Sequence, residues 1–233
     1  MSIAIIGAME EEVAPIRSQL ADVRVLQVAG ATYWSGRWDG REVVLVRSGI
    51  GKVNAAMTTA VLLERFRVEL IINTGAAGGL DPELAVGDVV MATEQVYSDV
   101  DATVFNYAYG QVPQMPQRYP VHPDGLALAQ KLIDLKARQE KIVTGLITTE
   151  DSFIGRTELA EAIRKNFPDS KATDMEGAAI AQTAYQFGIP YAAFRSISDV
   201  CGSEAAGLFN SNLELAAANS AAAVRDFLSL YTI

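Results

Sequence analysis

With one histidine and one cysteine among 233 residues, proton transfer in this chain falls to carboxylates. A Ser-His-Asp triad would have to use His122. No disulfide can close within the chain, and a His/Cys metal site cannot be assembled, so neither metal nor cofactor is expected. In open α/β sheets ligands bind beyond the carboxyl ends of strands. Four apolar runs here end in residues with chemistry to offer. Residues 3–6 lead into Ala8-Met9-Glu10-Glu11-Glu12, and residues 69–73 into the glycine-rich stretch 74–79. Residues 141–148 lead into Glu150-Asp151-Ser152-Phe153, and residues 191–197 into Ser198-Asp199. Glu176 stands just beyond Asp174 at a helix start. Glu12, Glu176 and Asp199 together are the equipment of general acid–base chemistry, and Phe153 offers an aromatic platform beside them.

Each of these residues also has a purely structural reading. Acids in a first helical turn favour the macrodipole, which covers both the 10–12 triplet and Glu176. Asp199 could cap the segment that follows its strand. Phe153 could be core. The glycine stretch matches neither GxGxxG nor GxxxxGK[ST], so alone it is a weak phosphate-loop signal. Cys201 reads as a small packing residue and His122 as exposed and idle.

The elements that must position these residues follow from patterning. Residues 10–20 carry Val13, Ile16 and Leu20 at helical spacing. Residues 23–28, 31–38 and 42–47 read as strands, with Asp39-Gly40 as a hairpin turn. Helices are expected over 52–66, 125–138, 157–166, 175–187 and 213–231, with Asp174 capping the fourth and Gly188-Ile-Pro190 stopping it. Residues 88–92 form a strand that 95–104 continues, 74–79 a loop, and 106–123 a long loop rich in Tyr, Gln and Pro. No linker or repeat divides residues 1–233, which read as one α/β domain: a central twisted mixed sheet flanked by helices.

Composition narrows the functions. At 50% hydrophobic, 20% charged and 8% aromatic, the chain is neither disordered, collagen-like nor coiled-coil. A net charge of −9 repels phosphate backbones and anionic lipid, which argues against nucleic acid and membrane partners. The N-terminus lacks a basic segment and Glu10–Glu12 interrupts its apolar run, so no signal peptide is read and a cytoplasmic location is expected.

Five motifs occur in order: Ile5-Ile-Gly-Ala-Met-Glu-Glu-Glu-Val13, Ser48-Gly-Ile-Gly-Lys-Val-Asn-Ala-Ala56, Ile71-Ile-Asn-Thr-Gly-Ala-Ala-Gly-Gly-Leu80, Ala172-Thr-Asp-Met-Glu-Gly-Ala-Ala179 and Arg195-Ser-Ile-Ser-Asp199. In sequence and spacing the chain closely resembles the 5′-methylthioadenosine/S-adenosylhomocysteine nucleosidases of the nucleoside phosphorylase superfamily, over essentially its whole length. The resemblance implies hydrolysis of the N-glycosidic bond, with release of adenine and a 5′-thioribose in methionine salvage and S-adenosylmethionine recycling. The resemblance extends the expected substrates to 5′-deoxyadenosine. Such a reaction passes through an oxocarbenium-like sugar and needs one acid at the base and one group to activate water.

By resemblance Asp199 is the acid at adenine N7, supported by Ser198, and Glu12 activates the water, with Arg195 behind it. Glu176 binds the ribose hydroxyls and Met175 packs on the sugar. Phe153 stacks on adenine, whose edge meets backbone of Ser152 and Ile154, while Ala76 and Gly78 belong to the glycine-rich wall. Met9, Ile50 and Phe209 would line the 5′-alkylthio pocket, completed by Ala102, Phe105 and Pro113 of a second subunit in a homodimer. Ala76 departs from a common Ser, and Ala102 is smaller than the usual branched residue. A phosphorylase is the alternative, with Arg47 or Arg195 binding the anion, although glutamates after the first strand and Asn73 stand where phosphorylases carry arginine. A non-catalytic adenosine-binding protein is a further alternative.

Overall fold

The computed structural model describes residues 1–135 and 140–231. Its centre is β1 (Ser2–Gly7), parallel to β4 (Arg41–Arg47) on one side and to β5 (Val68–Gly79) on the other. Ile3 and Ile5 enter one core cluster while Ala4 and Ile6 enter another. An unbroken apolar run thus serves a strand covered on both faces. Beyond β4 the sheet continues antiparallel through β3 (Ala31–Trp38) to β2 (Ala21–Val28) at the edge.

On the other side the pairings close on themselves. β5 runs parallel to β10 (Tyr191–Val200), which is antiparallel to β6 (Val89–Tyr97). β6 is parallel to β8 (Ile142–Thr149), and β8 to β9 (Ser170–Asp174). β9 then pairs back on the end of β5, Thr173 opposite Gly78. A two-residue strand, β7 (Tyr119–Pro120), borders β6. This circuit brings the ends of β5, β9 and β10 together, where the chemistry-bearing residues sit.

Helices cover both faces. α1 (Glu10–Arg17), α3 (Pro123–Leu135) and α6 (Ala205–Leu230) pack on one, the last two over Ala129, Val224 and Phe227. α2 (Lys52–Arg65) and α5 (Gly177–Phe187) pack together on the other. α4 (Thr157–Asn166) closes a smaller cluster with Leu80, Leu146, Ile154 and Cys201.

The expected mixed sheet with flanking helices is found, with local differences. The stretch 74–79 is the second half of β5, not a loop. Its glycines have weak strand propensity, but β10 and β9 pair with it and override that preference. β6 ends at Tyr97, and a 3-10 turn follows at Thr103–Phe105. β9 was hidden because its five residues carry no alternating apolar pattern. α5 begins at Gly177, yet Asp174 does cap it: its Oδ1 accepts the amides of Glu176 and Gly177. α6 starts at Ala205 rather than residue 213. Its polar first turns bond back on the helix, Ser211 to the Gly207 carbonyl and Asn212 to that of Leu208. α1 ends at Arg17, and residues 136–138 of the helix expected over 125–138 lie outside the described residues.

Candidate active site

Glu12 sits in the first turn of α1 with its carboxylate turned back on the helix N-terminus. Oε2 accepts the amides of Ala8 at 2.7 Å and Met9 at 3.0 Å. The second of these bonds closes the helix start as an acid at N3 does, so Glu12 also has a structural role in the first turn of α1. Oε1 accepts the Ala76 amide from β5 at 2.9 Å. This approach requires glycine at the preceding position. Gly75 has φ +146°, and a Cβ there would stand 2.1 Å from Glu12 Oε1. Ala76 therefore meets Glu12 through its backbone, a contact independent of the side chain that departs from Ser.

Asp199 is the penultimate residue of β10, beside a register shift against β5, and both Ser198 and Asp199 line the same space. Ser198 Oγ donates to Asp199 Oδ1 at 2.7 Å. Gly78 lets the acid close in, because a Cβ there would lie 3.3 Å from Asp199 Oδ2 and 2.6 Å from Cys201 Sγ. Burial pushes the Asp199 carboxyl up to about 6, outweighing the Ser198 hydrogen bond.

Glu176 is the residue before α5. Its Oε1 accepts the Gly51 amide at 2.9 Å, and its Oε2 accepts Arg195 Nη2 at 3.1 Å. Burial raises its carboxyl to about 7, with the charges of Asp174 and Glu12 adding to burial and Arg195 opposing it. Arg195 on β10 is 1% exposed and lies behind the wall rather than in it. Burial opposes its charge, but Asp174, Glu176 and Glu12 together raise the guanidinium further above its usual value. It was expected to serve Glu12, yet that contact is the longest of three: 3.7 Å, against 3.0 Å to Asp174 and 3.1 Å to Glu176.

These side chains surround one cavity of about 390 Å³, within the range for small-molecule sites. Met9, Glu12, Ile50, Ala76, Gly78, Phe153, Met175, Glu176, Ser198, Asp199 and Phe209 all line it. Ser152 and Ile154 line an adjoining recess beside Asp199 and Phe153. Phe153 and Phe209 meet edge to face at 5.7 Å. Ala102, Phe105 and Pro113 are not among the lining residues of this chain: Ala102 is buried elsewhere, and Phe105 and Pro113 face outward. No Lys, Arg or His is among the described residues lining the cavity. Arg47 is turned away to Glu10 at 3.1 Å.

Sequence reasoning missed Thr173, Asn210 and the recess position of Cys201. It read Asp174 only as a cap. A hidden strand concealed Thr173, and the late helix start concealed Asn210. The order of Asp174 and Glu176 around one methionine was the available signal for a second buried acid.

A mixed sheet closed around a cavity of acids, with a glycine-rich strand as one wall, defines the class. A family profile of the Phosphorylase superfamily matches residues 2–229. A 5′-methylthioadenosine/S-adenosylhomocysteine nucleosidase of Anoxybacillus flavithermus is 48% identical over 225 residues, 97% of each chain. The Colwellia psychrerythraea nucleosidase of that name, solved with adenine, superposes with TM-score 0.95 at 46% identity, covering 98% of this chain and 95% of that one. That of Neisseria meningitidis, in complex with methylthio-immucillin-A, gives 0.95 at 40% identity over 99% of both. The chain belongs to the phosphorylase superfamily and, within it, to the 5′-methylthioadenosine/S-adenosylhomocysteine nucleosidases.

Proposed function

We propose that this chain hydrolyses the N-glycosidic bond of 5′-methylthioadenosine and S-adenosylhomocysteine, releasing adenine and the 5′-thioribose. The family's curated members carry that activity in their names, and solved relatives hold adenine or a methylthio-immucillin. One observation carries the choice of water over phosphate. The cavity wall presents Glu12, Glu176 and Asp199 with no cation among the described lining residues, and the Arg195 guanidinium behind it is enclosed by three carboxylates. An attacking phosphate would meet like charge there, whereas water would meet a base.

The environments support the roles that the resemblance implies. Asp199 gives its proton to adenine N7, for which a carboxyl pushed up to about 6 by burial is suited. Glu12, held by three amides, takes the proton of the attacking water. Glu176 accepts the ribose hydroxyls and sets negative charge beside the developing cation. Phe153 stacks on the base, with Ser152 and Ile154 at its edge, and Met175 packs on the sugar. Met9, Ile50 and Phe209 hold the alkylthio group.

We further infer a homodimer in which Phe105 and Pro113 of one subunit close the alkylthio pocket of the other. Val104 and Phe105 support it, being 81% and 73% exposed, as do Ile50, which lines the cavity, and the exposed Val53 in the first turn of α2. No described helix is long and apolar enough to cross a membrane.

Incubation with methylthioadenosine in phosphate-free buffer, followed by chromatography, tests the activity. Free adenine is expected. A strict phosphate requirement would establish a phosphorylase, and binding without turnover a non-catalytic adenosine-binding protein.

A further inference from the structure

Behind the cavity wall a buried polar network ends on Arg195. Asp174 Oδ2 accepts Arg195 Nε at 3.0 Å. Its Oδ1 accepts the Thr149 hydroxyl at 2.6 Å and the Gly177 amide at 3.0 Å. Thr149 is fixed in turn, accepting the Ala178 amide at 2.9 Å. Both oxygens of Asp174 are thus taken by protein donors, and although the residue lines the cavity its side chain is only 1% exposed. What it controls is the guanidinium. From that anchored Nε the two terminal nitrogens diverge: Nη2 bonds Glu176, while Nη1 bonds the Ala76 carbonyl at 3.3 Å and reaches Glu12.

We infer that Asp174 is a positioning residue: through Arg195 it sets the placement of Glu12 and Glu176 together, linking the water side and the ribose side of the site. The inference rests on the nucleosidase reading above for what those two acids do. Its physical basis is the planar guanidinium, whose fork is oriented as a unit once Nε is held. Three buried carboxylates share this one cation, so the position of each depends on where the cation stands.

Asp174→Asn separates this role from helix capping. Asparagine caps as well as aspartate and can keep accepting from Gly177 and Thr149. Its amide then faces the Nε–H of Arg195, donor against donor. The expected result is a fall in kcat of at least tenfold, with a raised KM for methylthioadenosine. The Kd for free adenine, which fills only the purine end, should stay within threefold of the parent. A crystal structure of the variant should show Arg195 moved off Glu12 and Glu176, a readout that stands even if the parent cleaves no nucleoside. In that last case the functional reading fails by itself. Should Asp174→Asn not fold, Thr149→Val and Thr149→Ser replace it. The valine variant should lose about three- to tenfold in kcat with adenine affinity kept, and the serine variant, which retains the hydroxyl, should match the parent. Parent-like kcat in Asp174→Asn or Thr149→Val, an unmoved Arg195, or adenine affinity falling as far as kcat/KM would overturn the inference.

Discussion

Asp199→Asn should make this protein slower and more stable at once. The Asp199 carboxyl is raised by burial from 3.8 to about 6, so above pH 6 the fold holds a carboxylate where a neutral acid is preferred. The folded chain then binds this proton more tightly than the unfolded chain. Stability from this group is complete below pH 3.8, declines as pH rises toward 6, and is lost above it. A shift of roughly two units corresponds to about 3 kcal/mol of destabilisation at pH 8. Asparagine removes that charge but brings an amide to be desolvated, which returns about 1 kcal/mol or more. The variant should therefore exceed the parent by roughly 1–2 kcal/mol at pH 8, or about 2–8 °C in Tm for a chain of this size. The ionisation cost at pH 5 is about half that at pH 8, so the advantage should shrink on acidification. Thermal unfolding of both proteins across pH 5–8, without ligand, reads this directly. Turnover should fall by at least ~100-fold in the same variant, because its amide has no proton to give to adenine. A variant no more stable than the parent at pH 8, or a pH-independent difference, would refute the burial argument. Unchanged turnover would show that another group protonates the base.

Glu12→Gln should abolish turnover while nucleoside binding, measured at equilibrium, persists; an active variant would remove Glu12 from water activation. Gly75→Ala should lower kcat by at least ~100-fold, because its Cβ would displace both Glu12 Oε1 and, from 2.6 Å, Arg195 Nη1. Adenine affinity measured by calorimetry should survive it, and parent-like kcat would show that the wall can give. Phe105→Ala should raise KM for methylthioadenosine about tenfold through lost apolar contact across the subunit boundary. Light scattering should give a dimer for the parent; a monomer of full activity would contradict the shared pocket.

The site was legible where chemistry and strand ends coincide. Glu12, Asp199 and Phe153 could be located from apolar runs ending in acids or an aromatic, since strand ends are where an open sheet admits ligands, and Glu176 from an expected helix start. Their roles came from the resemblance, because each alone has an equally good structural explanation, and Glu12 satisfies both readings. What stayed hidden depended on tertiary pairing. The 74–79 stretch became strand only because β9 and β10 flank it, and β9 itself carries no local pattern. The grip of Asp174 on Arg195 joins residues 21 apart in sequence, beyond the reach of any periodicity.

Water, activated by Glu12, should replace adenine on the anomeric carbon. Turnover of methylthioadenosine in 18O-labelled water, at phosphate concentrations from zero to millimolar, measures the incoming atom itself. Free methylthioribose bearing one 18O at C1 is expected in the mass spectrum of promptly quenched reactions, at a rate independent of phosphate. A sugar 1-phosphate without the label, formed only when phosphate is added, would contradict it.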